Sequence, residues 1–103
     1  MNKHYIEDEN HNLKKVSLLE WAKWFNNADR RVAFDQLLDC QISTVFLGFD
    51  HNYDPAGESL LYETMIFGGE HSQEMWRYST REQALAGHEN AVKYVKEARN
   101  VDT

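Results

Sequence analysis

Ile42-Ser43-Thr44-Val45-Phe46-Leu47-Gly48-Phe49 and Ser59-Leu60-Leu61-Tyr62-Glu63-Thr64-Met65-Ile66-Phe67 are the two stretches that decide the fold. Each is β-branched and aromatic at alternate and intervening positions, the composition of strands packed in the middle of a sheet. Between them lies 50–58, a turn-rich loop that holds the only proline, Pro55. A connection this short favours antiparallel pairing, because a parallel crossover needs a dozen or more residues. The expected central pair is therefore 42–49 against 59–67.

Working outward, Arg31 to Gln36 alternates polar with apolar (Val32, Phe34), as a half-exposed strand does. Gly68-Gly69 breaks the second central strand, and Met75 to Ser79 reads as a shorter last strand. A helix is expected over 18–26. Ser17 and Glu20 form a capping box ahead of it, and Leu18, Trp21, Ala22 and Phe25 recur at helical spacing with Trp24 flanking them. A second helix is expected over 81–98. It opens on a Thr80/Gln83 box and carries the stripe Ala84, Leu85, His88, Ala91, Val92 and Val95. Lys93, Lys96 and Arg99 load its C-terminal part in favour of the helix dipole. The sum is an α+β, two-layer sandwich: an antiparallel sheet of three to five strands with two helices on one face. It is read as a single domain over 1–103, with 1–12 an arm or edge strand around Tyr5 and Ile6 and 100–103 a frayed tail.

Thirteen per cent of the 103 residues are aromatic, enough to build a core, since each buried ring removes on the order of 150–250 Å² from water. The net charge of -6 disfavours generic nucleic-acid binding, where Lys and Arg must replace counterions. The single cysteine, Cys40, excludes an intrachain disulfide and has no cation beside it in sequence to activate it. No segment approaches the roughly 20 apolar residues that span a bilayer, and 1–12 has no apolar run of signal-peptide type. The expected location is the cytoplasm. A sheet this apolar is not fully covered by two helices, so a homo-oligomer, most simply a two-fold dimer, is expected.

Several polar residues sit where polarity is costly. Glu63 shares a strand face with Leu61, Met65 and Phe67; it is either paired with Arg31 or Arg77 on a solvent side, or on the floor of a pocket. His88 lies in the apolar stripe of the second helix, which fits a core histidine satisfied by a hydrogen bond. Gly87 beside it costs roughly 1 kcal/mol of helix propensity relative to Ala and calls for a close approach by a strand, a ligand or a partner. Asp50 and His51 emerge at a strand end, as turn residues or as binding groups. Arg77, Tyr78 and Arg81 cluster where the last strand enters the second helix, a place suited to a phosphate or carboxylate, or else a surface ion-pair cluster with Glu74 or Glu82. Trp21, Trp24 and Trp76 fit a core, a dimer interface or a stacking platform. If a ligand site exists, Glu63, His88 and at least one of His51, Arg77 or Tyr78 are expected to line one cavity. His51, His71, His88, Asp50 and Glu63 have metal-binding atoms, but no spacing among them presets a metal site. No nucleophile elbow, catalytic residue or cofactor motif is read.

Five strings in order, Glu20-Trp21-Ala22-x-Trp24-Phe25, Arg30-Arg31-Val32-Ala33, Ile42 to His51, Tyr62 to Gly69, and Arg77-Tyr78-Ser79-Thr80 through Ala86-Gly87-His88, resemble a group of small uncharacterised proteins encoded by bacteriophages and prophages. The resemblance covers about two thirds of the chain and implies no catalytic residue. It implies a setting, in which small accessory proteins counter host defence, serve replication or take over host machinery. The expected function is a non-enzymatic binder of a small anionic or nucleotide-like ligand through His51, Glu63, Arg77, Tyr78, Arg81 and His88. The alternatives are an inhibitor of a host protein and a small metal-dependent hydrolase.

Overall fold

The computed structural model describes residues 3–52 and 56–100, with the backbone alone at 98–100. Tyr53, Asp54 and Pro55 of the long loop, the Arg99 side chain, and the tail after Asn100 lie outside the described residues. Four strands form one antiparallel sheet in sequence order: β3 (Arg31–Gln36), β4 (Gln41–Phe46), β5 (Tyr62–Phe67) and β6 (Met75–Tyr78). Two helices, α1 (Leu18–Asn27) and α2 (Arg81–Asn100), complete an α+β architecture. The central pair is antiparallel as the sequence suggests, with Thr44 opposite Thr64 and Phe46 opposite Tyr62.

Both central strands are shorter than their apolar runs. β4 stops at Phe46, and just beyond it Gly48 takes a positive φ of 73° that bends the chain. A Cβ at Gly48 would stand 2.6 Å from Trp21 Nε1 and 3.3 Å from the Tyr5 carbonyl oxygen, so only glycine fits the bend. Beyond it the chain pairs with the N-terminal arm: Tyr5 N–H donates to the Gly48 carbonyl, and His4 bridges Phe49. The arm is itself a hairpin, β1 (Tyr5–Glu7) against β2 (Leu13–Lys15). Three residues with two lysines gave β2 no readable pattern. Asp8 closes its turn by accepting from the Asn10 and Asn12 backbone N–H groups, and the Asn12 bond holds its carboxyl below the usual range.

Both helix caps form. Ser17 Oγ accepts from Glu20 N–H at 3.2 Å. Thr80 Oγ1 accepts from Gln83 N–H, and the Gln83 amide oxygen accepts from Thr80 N–H in return. The helices differ in what they bury. α2 lays Ala84, His88, Ala91 and Val95 onto the sheet, all at most 5 % exposed, whereas Leu85 faces outward. α1 buries no residue completely; Leu18 is exposed, and Trp24, outside the expected stripe, is the side chain that reaches the core. Its ring meets Phe46 edge-on at 5.5 Å, on the face that α2 also covers. The core's weight rests on Ile42, Phe46, Leu61, Tyr62 and Ile66, each worth about 1.5–3 kcal/mol when fully buried. No helix among the described residues is long and apolar enough to cross a membrane.

Candidate functional site

Strand alternation assigns every side chain of the sheet to one of two faces. Ile42, Thr44 and Phe46 of β4, with Tyr62, Thr64 and Ile66 of β5, point toward α2 and are buried. Ser43 and Val45, with Glu63, Met65 and Phe67, point to the opposite, uncovered face. That parity separates the polar residues singled out by sequence into distinct environments.

On the covered face a chain of hydrogen bonds crosses the core beneath α2. The Asp35 carboxylate, on β3, accepts from His88 Nε2 at 2.7 Å. His88 Nδ1 lies 2.7 Å from Thr44 Oγ1, which lies 2.5 Å from Thr64 Oγ1. The Tyr78 hydroxyl donates to Thr64 Oγ1 at 3.2 Å. Two buried threonines and a histidine 4 % exposed are thereby satisfied, as buried polar groups must be. Burial pushes the Tyr78 phenol above its ordinary value, against a smaller opposing effect of the Thr64 bond. The Asp–His–Thr order resembles a nucleophile triad, but Thr44 is fully buried and held by Thr64. No substrate reaches its hydroxyl.

The chain ends at two openings on either side of α2. At the Asp35 end a groove of about 270 Å³ is lined by Asp35, His88, Glu89, Val92, Lys93 and Lys96. At the Tyr78 end a slot of about 300 Å³ lies between β6 and α2, lined by Trp76, Tyr78, Gly87, Asn90, Ala91 and Tyr94. The Trp76 and Tyr94 rings stand edge-on, 5.9 Å apart, and each is 37 % exposed. Gly87 is explained here: a Cβ on it would collide with the Tyr78 phenol, so the glycine lets strand and helix close around that ring. The Tyr94 hydroxyl is tied outside the slot, donating to Glu74 at 3.0 Å.

The structure disperses the expected ligand set. Glu63 lies on the uncovered face and receives the Arg77 Nε–H at 3.0 Å across the β5–β6 pair, so it does not share a cavity with His88. Arg77 and Tyr78, being consecutive in β6, point to opposite faces. Arg81 is drawn to the arm instead, its guanidinium 3.3 Å from Glu7 Oε2, and the Tyr62 hydroxyl donates to the same carboxylate at 2.8 Å. Burial, reinforced by Glu7, drives the Tyr62 phenol strongly upward. Of the six candidates, only Tyr78 and His88 belong to one connected array, and of these Tyr78 lines the slot. His51 donates from Nδ1 to the Phe49 carbonyl at 2.7 Å, away from both.

Asp50 clamps the long loop by accepting from the Asn52 and Leu60 backbone N–H groups at 2.8 and 2.9 Å. Burial raises its pKa, but those bonds, with Ser59 and the charge of Lys3, outweigh burial and leave it lowered. His71 pairs with Glu74 at 2.6 Å. Among the described residues no group of three or more His, Cys, Asp or Glu is placed to hold a metal ion. Sequence reading missed Asp35, Thr44, Thr64, Asn90 and Tyr94. The signal for the threonines was present: each is the midpoint of an apolar strand segment, where a lone hydroxyl needs a partner.

No protein-family model matches the chain, and comparisons with curated proteins and with solved structures return no match. The functional reading therefore stands on the site's own geometry.

Proposed function

We propose that the chain is a non-enzymatic binding protein whose slot between β6 and α2 takes a small planar ring of nucleobase type. The observation that carries this reading is the pair of half-exposed rings, Trp76 and Tyr94, flanking a helix wall opened by Gly87 with the Asn90 amide beside it. Aromatic walls with few polar groups are the usual make-up of a small-molecule site, and about 300 Å³ admits a small ligand. A nucleotide enters this reading through its base. Arg77 and Arg81 are held by Glu63 and Glu7, and no cation lines the slot among the described residues. In the setting the phage resemblance implies, capture of a nucleotide-like signal is the matching role.

The test is a titration with adenine and with AMP, followed by the indole Nε1–H resonance of Trp76. Saturable shifts are expected, with Trp76→Ala weakening binding about 5- to 150-fold, the range of one stacked base. Gly87→Ala, whose Cβ would collide with the Tyr78 ring at the slot floor, is expected to weaken it and to lower stability as well. An unperturbed Trp76 resonance at millimolar base overturns the reading.

A second reading concerns the uncovered face. Phe34, Phe67 and Met75 are 38 %, 46 % and 41 % exposed there, beside Val45 and Met65. We propose a second copy of the chain as their cover, forming the two-fold dimer. Sedimentation equilibrium is expected to show a dimer that Phe67→Lys dissociates; a 12.1 kDa monomer at high micromolar concentration overturns it.

A further inference from the structure

The hydrogen-bond chain beneath α2 has a direction, and that direction follows from its ends. An ionised carboxylate only accepts, so the proton between Asp35 and His88 resides on Nε2. In neutral His88, Nδ1 then carries a lone pair and accepts from Thr44. Thr44 has spent its single proton, so Thr64 donates to Thr44, and Tyr78 donates to Thr64. Among the described residues neither threonine has another side-chain partner. Every proton in the chain points from the slot toward Asp35.

Protonation of His88 reverses it. With a proton from solvent on Nδ1, the imidazolium donates to Thr44, Thr44 to Thr64, and Thr64 to the Tyr78 oxygen. The Tyr78 proton is expelled from the chain, and it turns toward the slot that Tyr78 lines. We infer that His88 protonation switches Tyr78 from a donor engaged in the core to a donor presented to the slot, so that the slot prefers ligands carrying a hydrogen-bond acceptor, a ring nitrogen or carbonyl, when His88 is charged. This rests on the slot reading above and names the ligand edge it selects.

The charged groups around the switch are few. Asp35 of β3 faces Nε2 at 2.7 Å; Glu89, Lys93 and Lys96 of α2 border the groove at that end. β4 bonds the ring through Thr44, and β5 and β6 extend the chain through Thr64 and Tyr78. A ligand that accepts from Tyr78 stabilises charged His88, so by linkage its affinity rises as pH falls through the His88 titration.

Two bicyclic probes of like size separate the outcomes: quinoline, which only accepts, and indole, which only donates. Nitrogen-15 NMR of the imidazole is expected to show the Nε2–H tautomer in the neutral protein and to define the His88 titration. Across that titration quinoline is expected to bind about fivefold more tightly on the acid side, the yield of one net hydrogen bond, while indole stays constant. Thr64→Val keeps the volume and cuts the chain; quinoline should then bind at its tighter limit on both sides. Both probes binding without pH dependence overturns the switch and leaves the slot standing. Neither binding overturns the slot reading and the switch with it. An Nδ1–H tautomer in the neutral protein overturns the direction of the chain, whatever the probes do.

Discussion

The two faces of the β3–β6 sheet come from the same strands by the same alternation, yet they accommodate polar side chains in different ways. On the covered face Thr44, Thr64 and His88 are buried under α2 and, among the described residues, are satisfied by one another, by Asp35 and by Tyr78. On the uncovered face Glu63 finds Arg77 directly across the strand pair, and water reaches both. A polar group in the covered layer is thus committed to a network, because an unmade bond there costs its full desolvation. One on the uncovered layer keeps an alternative in solvent. Specificity belongs to the first arrangement and adaptability to the second.

The largest effect that breaks this contrast is expected from Thr44→Val. The substitution preserves shape and removes the central hydroxyl, leaving His88 Nδ1 and the Thr64 hydroxyl without their partner in a buried layer. His88 Nδ1 is stranded at about 1–3 kcal/mol, and the lost Thr44–Thr64 bond adds about 0.5–1.5 kcal/mol because Thr64 keeps Tyr78, so the expected loss is about 1.5–4.5 kcal/mol in denaturant unfolding. A loss under about 0.5 kcal/mol would mean that water enters the layer and that the two faces are alike.

Legibility in the sequence followed the same division. The central strands, both caps and the antiparallel pairing could be read because each is local: apolar runs, turn residues and four-residue boxes. Glu63 and Arg77 were named as one candidate pair, since they lie on adjacent strands of a short hairpin. The covered network could not be assembled, because Asp35, Thr44, Thr64, Tyr78 and His88 come from five elements, and only register and helix placement bring them together. The bend at Gly48 was hidden for a similar reason. Leu47 and Phe49 continue the apolar run, and only the returning arm shows why the strand ends.

An intermediate effect sharpens the contrast through pH. The buried phenol most strongly raised, Tyr62, lies on the covered face, where burial and Glu7 both oppose its ionisation. A raised folded pKa means the stabilisation is fully present below the unfolded value of about 10 and is lost as pH rises beyond it. One unit above that value the expected loss is about 1.4 kcal/mol, read as a falling thermal midpoint between pH 9 and 11. Tyr62→Phe should flatten that part of the profile. An unchanged alkaline slope in the variant would place the titrating group elsewhere.

The smallest effect is expected on the uncovered face, and its size depends on what covers it. Arg77 Nε and Glu63 Oε2 are 3.0 Å apart with side chains 31 % and 15 % exposed, the geometry of a partly solvated pair. Such pairs contribute about 0.2–1 kcal/mol, because water compensates either partner when the other is removed. Glu63→Gln keeps the shape and an acceptor oxygen for the guanidinium, so in a monomer the change should be within about 0.5 kcal/mol and should shrink further with added salt. A second copy seated on Phe34, Phe67 and Met75 would exclude that water, and a charge stripped of its partner inside an interface is far more costly. The substitution then weakens association, and its effect on unfolding grows with protein concentration, whereas Phe67→Lys, by dissociating the dimer, returns Glu63→Gln to the small monomer value. Measuring Glu63→Gln in both backgrounds therefore reads the environment of the face directly. Equal, small changes in the two would show that the uncovered face stays in water and that the dimer, where one forms, is built elsewhere.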